Sequence, residues 1–98
     1  MIDRDEILMI VVAEASKHGC SLYPMKRGGD VIRPVQIRRD WCLEVAITAT
    51  GTNGKMYGVI IVSPEDHESV VRWAAAEMAE KVREAAGPDS IPPAVVVS

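Results

Sequence analysis

The chain has 98 residues, 48% of them hydrophobic and 26% charged, with a net charge of −3. This is the size and apolar content of one domain with a single core, and no apolar run approaches the roughly 20 residues that a membrane-crossing helix takes. A two-domain chain and a spanning helix are set aside.

The opening Met1-Ile2-Asp3-Arg4-Asp5-Glu6 is acidic where a secretory leader is basic, which predicts a cytoplasmic protein. Asp3 followed by Glu6 is a capping pair, with carboxylates favoured at the positive end of a helix dipole. A first helix is therefore predicted from there. Its apolar run, Ile7 through Ala13, is carried on by Ala15, Ser16, Lys17 and His18 and stopped at Gly19. A helix apolar nearly all round should be covered on more than one side.

Between residues 20 and 30, Tyr23-Pro24 and Gly28-Gly29 predict a loop. Lys26-Arg27-Gly28-Gly29 lacks the spacing of a phosphate loop. Residues 31–39 read as a strand with Val35 and Ile37 on one face and Gln36 and Arg38 facing outward. Pro34 cannot donate a ladder bond, so this strand should lie at an edge or start late.

Residues 41–63 form the organising ribbon. Trp41, Leu43, Val45, Ile47 and Ala49 alternate with Cys42, Glu44, Ala46, Thr48 and Thr50, the period of a strand. Asn53-Gly54 is the strongest short-range hairpin signal. With that pair at the tip, Ile47 faces Ile60, Val45 faces Val62 and Ala49 faces Gly58. The core face then holds Trp41, Leu43, Val45, Ile47, Ile60 and Val62. On the reverse face Ala46 meets Ile61, Thr48 meets Val59 and Thr50 meets Tyr57. That face has too little charge to stay wet, so it is expected to be covered, either by other parts of this chain or by a partner.

Ser63 as cap and Pro64 at the first helical position, followed by Glu65 and Asp66, predict the start of a second helix. Val71, Ala75, Met78, Val82 and Ala85, widened by Ala74, form its apolar stripe, and Glu68–Arg72 and Glu77–Lys81 are favourable i,i+4 pairs. Gly87-Pro88 ends it. Residues 1–87 thus make one domain. Residues 88–98 form a tail in which Ala94-Val95-Val96-Val97 is expected to add as a strand to a sheet edge, in its own subunit or in a partner.

Charge is unevenly spread. Lys17, Lys26, Arg27, Arg33, Arg38 and Arg39 face Asp30 alone in residues 17–39, while beyond residue 56 Arg72, Lys81 and Arg83 are outnumbered by Glu65, Asp66, Glu68, Glu77, Glu80, Glu84 and Asp89. Cys20 and Cys42 have no CxxC spacing and read as free thiols, and with His18 and His67 they lack the spacing of a zinc site. His18-Gly19-Cys20 is the nearest approach to a nucleophile with a base, but no Asp or Asn is placed to orient the histidine. No catalytic, metal or cofactor site is predicted.

The order helix, three strands, helix over residues 3–86 resembles the double-stranded RNA-binding domain, through the hairpin of residues 41–62 and the alanine-rich last helix. The resemblance implies a similar topology. It does not extend to RNA binding, because the lysine-rich start of that family's second helix is replaced by Ser63-Pro64-Glu65-Asp66-His67-Glu68. The family's Gly-Pro-x-His loop is replaced by Arg38-Arg39-Asp40-Trp41.

The predicted fold is α+β: a helix, a three-stranded antiparallel sheet and a second helix, with both helices on the Trp41, Val45 and Ile47 face. The predicted function is a non-enzymatic protein-binding module, a homodimer among the possibilities. It would act as an accessory or inhibitor protein that offers an acidic helix face to a partner such as a nucleic-acid-handling complex. Its binding residues would be Tyr57, Val59, Ile61, Trp73, Glu65, Asp66, Glu68, Glu77, Glu80 and Glu84. The alternative is a nucleic-acid-binding domain using Lys26, Arg27, Arg33, Arg38 and Arg39 of the basic segment.

Overall fold

The computed structural model describes residues 2–23 and 31–88. Asp3 caps α1 (Arg4–Lys17) as the capping pair requires, its carboxylate accepting from the Glu6 N–H at 2.9 Å. The helix ends where Gly19 takes a φ of 69°, a left-handed value that glycine adopts without a Cβ clash. Ile7, Ile10, Val11, Glu14 and Ala15 are buried, at the three- and four-residue spacing of one face. No element among the described residues covers the opposite side, where Met9 is 72% exposed and Val12 is exposed beside it.

Four strands follow rather than three: β1 (Ser21–Tyr23), β2 (Ile32–Ile37), β3 (Asp40–Gly51) and β4 (Gly54–Val62), before α2 (Glu68–Ala86). All pairing is antiparallel. β4 lies on one side of the central β3, and β1 and β2 share the other. These two lie end to end, with Tyr23 opposite Ala46 and Ile32 opposite Val45, so the first edge is a single line interrupted by residues 24–31. Three residues are too few to show a period, which is why β1 reads as loop in the sequence.

The β3–β4 register also differs from expectation. Val45 faces Ile60, Leu43 faces Val62, Ile47 faces Gly58 and Ala49 faces Met56. Thr52 and Asn53 form the tip, and the turn's positive φ falls on Gly54, at 100°. The tip is held from outside. The Asn53 N–H donates to the Ala86 carbonyl at 2.8 Å, the Thr52 N–H to the Pro88 carbonyl at 3.0 Å and the Asn53 amide to the Ala85 carbonyl at 3.2 Å. These bonds to the end of α2 override the local preference of Asn-Gly for the two central positions. Because the pairing moves by two residues, every side chain keeps its predicted face. On the opposite edge it is Ile32 that turns inward, while Val35 and Ile37 stand on the outer side and Ile37 is exposed.

Helix α2 begins at Glu68 with His67 as its cap, not at Pro64 with Ser63. The Asp66 carboxylate accepts from the Ser63 N–H at 2.9 Å and the Asp66 N–H donates to the Ser63 carbonyl at 2.9 Å, which closes residues 63–66 into a turn. The cap passes to His67, whose Nδ1 accepts from the Ser69 N–H. The buried stripe is Val71, Ala75, Ala79, Val82 and Ala86, with Met78 packed against it and Ala85 left outside. The Glu68–Arg72 pair forms at 2.6 Å, whereas Glu77–Lys81 is absent from the ion pairs among the described residues.

Helix α2 lies across β3 and β4, and α1 packs beside it over β1. The helices run in the same direction: Ile2 bonds to Pro64, Glu14 reaches Arg72, the Cys20 thiol donates to the Ala79 carbonyl and Gly19 meets Arg83. Between helices and sheet lie Ile7, Val11, Ile32, Val45, Ile47, Val62 and Val71, all essentially fully buried. Trp41 is not in this core; it shares the parity of Val45 but is 62% exposed. β4 ends opposite Leu43, so Asp40, Trp41 and Cys42 of β3 run past the end of β4.

Arg83 ties the far end together. Its guanidinium donates to the carbonyls of Gly19 at 3.2 Å and Thr50 at 2.8 Å, and twice to that of Gly87, at 2.6 and 3.2 Å. There β3 comes so close to α2 that a Cβ on Gly51 would run into the carbonyl oxygens of Ala86 and Gly87.

Candidate protein-binding surfaces

Among the described residues the sheet has one covered and one open face. On the open face β4 presents Tyr57, Val59 and Ile61, which are 65%, 40% and 44% exposed. Alternation along β4 makes this unavoidable, because Met56, Gly58, Ile60 and Val62 are the residues turned to α2. Beside the row, Ala46 and Thr48 of β3 are hidden by their neighbours, and the Thr48 hydroxyl is satisfied by donating to the Met56 carbonyl at 2.8 Å. Tyr23, delivered by β1, stacks on Tyr57 with ring centroids 5.4 Å apart, and the Lys55 ammonium lies 4.8 Å from the Tyr23 ring centre. Arg33 of β2 and Glu44 of β3 pair across the strands at 2.8 Å. Together Tyr23, Arg33, Glu44, Ala46, Tyr57 and Val59 line a shallow depression of about 260 Å³. It is an apolar floor with one neutralised ion pair, suited to the apolar side chains of another protein surface.

A second surface is the outer ridge of α2. Trp73 is 65% exposed, and Glu77, Glu80 and Glu84 follow it at four, seven and eleven residues, a single stripe opposite the buried one. The other three acidic candidates stand elsewhere. Glu65 and Asp66 lie in the turn before the helix, where Asp66 is engaged with Ser63, and Glu68 is engaged with Arg72. Since α1 and α2 start at the same end, these carboxylates offset two aligned helix dipoles. The six acids therefore divide between a structural cap and an exposed ridge.

Of the basic candidates, Arg33, Arg38 and Arg39 fall among the described residues. Arg33 is taken by Glu44. Arg38, with a φ of 60°, and Arg39 form the β2–β3 turn beyond the end of β4. Lys26 and Arg27 lie outside the described residues, as does the expected strand at Ala94-Val95-Val96-Val97.

The His18–Cys20 pair does not assemble as a nucleophile and base. The Cys20 thiol is buried and donates to the Ala79 carbonyl at 3.4 Å, and burial pushes its pKa up, away from thiolate. His67 is a helix cap. Among the described residues no three His, Cys, Asp or Glu side chains converge as metal ligands, and no helix is long and apolar enough to cross a membrane.

Three features escape sequence reasoning. Glu14 is buried between the helices, held by Lys17 at 3.0 Å and Arg72 at 3.5 Å. The Lys17 hydrogen bond keeps its carboxyl below the ordinary range against the opposing push of burial, with Arg72 adding to the effect. Its position among Ile7, Ile10, Val11 and Ala15 was the available signal. The Arg83 clamp left no signal, since its partners are carbonyls scattered along the chain. The exposed patch of Leu8, Met9, Val12 and Ala13 on α1 was legible only as surplus apolar surface. Protein families, characterised proteins and solved structures offer no match to this chain.

Proposed function

We propose that the chain is a small non-enzymatic protein–protein interaction module of the cytoplasm, working as an accessory or inhibitor protein. The observation that carries this reading is the open sheet face, where Tyr57, Val59 and Ile61 stand exposed in a row with no described element over them. Burying that row supplies the apolar centre a specific interface needs, and Tyr57 is the residue type that serves as an anchor. The ridge of Trp73, Glu77, Glu80 and Glu84 supports the further reading that an acidic surface is offered to a basic partner, such as a nucleic-acid-handling complex. Rim charges of this kind steer association and select partners.

The test is capture of partners from the native host by the tagged chain, in parallel with V59E and with W73A/E77K. The module reading expects a protein recovered by the wild type and lost with at least one variant. Identical recoveries by all three would refute it. Nucleic-acid binding is the second reading, favoured by Arg38 and Arg39 together at a turn that protrudes beside exposed Trp41. Titration with duplex DNA and RNA at two salt concentrations separates the two readings. Tight, salt-sensitive binding lost in R38A/R39A would put the second first.

A further inference from the structure

We infer that the open sheet face is covered by a second copy of this chain, the two sheets packing face to face about a twofold axis; the inference rests on the protein-binding reading and names the partner. In a twofold interface the same patch meets itself, so a face that closes this way carries its own complement. This one does. Its central charges, Arg33 and Glu44, are equal and opposite, and they meet through a single bond from Nε to Oε1 at 2.8 Å. Among the described residues the Arg33 Nη groups and Glu44 Oε2 make no further hydrogen bond. Two such faces brought together place four alternating charges at the centre, each guanidinium within reach of both carboxylates.

The Arg33–Glu44 pair cancels its own charge, so the centre of the face, away from Lys55 at the Tyr23 end, has no net field to draw a phosphate backbone or a uniformly charged protein. Around the pair lie Tyr57, Val59 and Ile61, apolar surface that a like copy matches. Three strands give a width of about 14 Å and the nine residues of β4 a length of about 30 Å, hence a footprint of roughly 430 Å² in projection. Side-chain relief raises this toward the ~600–800 Å² per partner of stable interfaces.

The experiment is sedimentation of the full chain from low micromolar to submillimolar concentration, with V59E, R33E and E44R, each checked for native circular dichroism. The wild type is expected at twice its 10.7 kDa. V59E, R33E and E44R should each dissociate at least ~30-fold more readily, because each sets charge against apolar surface or like charge against like. The decisive arm mixes R33E with E44R. An all-acidic face then meets an all-basic one, and a one-to-one heterodimer forms from two chains that do not pair with themselves, which no folding defect can mimic.

A wild type that stays monomeric, a dimer untouched by V59E, or a mixture that does not associate overturns the inference. So does a monomer that dimerises only once residues 89–98 are removed, since the face then belongs to the chain's own tail. A monomeric wild type that still captures another protein in a V59E-sensitive manner overturns the dimer while leaving the binding-module reading standing.

Discussion

Replacing Arg83 with alanine cuts four hydrogen bonds at once. Its guanidinium reaches carbonyls from the end of α1 (Gly19), the end of β3 (Thr50) and the residue after α2 (Gly87), at 2.6 to 3.2 Å. A hydrogen bond to a charged group contributes about 1.5–3 kcal/mol, but these carbonyls are partly open and water replaces part of the loss, so the clamp contributes about 1 kcal/mol for each of its three carbonyls. After allowance for alanine's slightly better helix propensity, R83A should cost about 3 kcal/mol. Urea unfolding reads this directly. With a slope near 1.3 kcal/mol per molar for a chain of this size, the midpoint should fall by about 2 M at unchanged slope. R83K, whose ammonium can serve only one or two of the three carbonyls, should lose about half as much. The Thr52 and Asn53 amides, bonded to the same corner, should exchange faster in R83A. A loss under ~0.5 kcal/mol would mean that the clamp holds nothing and that the corner is secured by apolar packing alone.

Three further outcomes follow from the packing. G51A should cost more than 2 kcal/mol because its Cβ meets backbone carbonyls that cannot swing aside, whereas G58A, which meets the flexible Met78 side chain and Val82, should cost about 1 kcal/mol. Equal losses in melting experiments would discredit the close approach of β3 to α2. Glu14 has a carboxyl pKa below its ordinary value near 4.5, so its contribution is complete above the unfolded pKa and fades as pH falls through the lower, folded one. The stability difference between wild type and E14Q should accordingly be about 1–2 kcal/mol at neutral pH and shrink on acidification below about 4.5. A difference equal at pH 7 and pH 3 would contradict the pairing. Native protein should react with a thiol reagent quickly at half-buried Cys42 and only on unfolding at Cys20; two fast thiols, or a fast phase that survives C42S, would count against the burial of Cys20.

Local chemistry made much of the fold readable. Asp3 and Glu6 announced the start of α1, Gly19 its end, and alternation along β3 placed Val45 and Ile47 on the core side and Ala46 on the other. What stayed hidden depended on distant parts. The hairpin tip is pulled one position back by carbonyls at the end of α2, and the start of α2 is delayed because Asp66 turns back on Ser63. Trp41 has the right parity for the core but lies past the reach of the helices, and alternation says which side a residue faces without saying how far the cover extends. The candidate site was readable in the same measure. The outward side of Tyr57, Val59 and Ile61 followed from period, and the exposure of Trp73 from its place off the apolar stripe. The division of the acids into caps and ridge needed the turn at residues 63–66 and the shared direction of the helices.

The broken edge strand leaves this architecture with a seam already cut. Tyr23 and Ile32 stand against adjacent residues of β3, and the alternation of sides runs through the gap as if nothing lay between them. Splicing one directly to the other would yield an unbroken strand of ordinary pairing, and inserts of other lengths at the same point would leave the hydrogen-bond ladder indifferent, since closing a longer loop costs only about 0.6 kcal/mol per doubling. The seam opens beside the Tyr23–Tyr57 stack, so variety introduced there would change what the rim of the sheet can touch while the frame beneath it stays as it is.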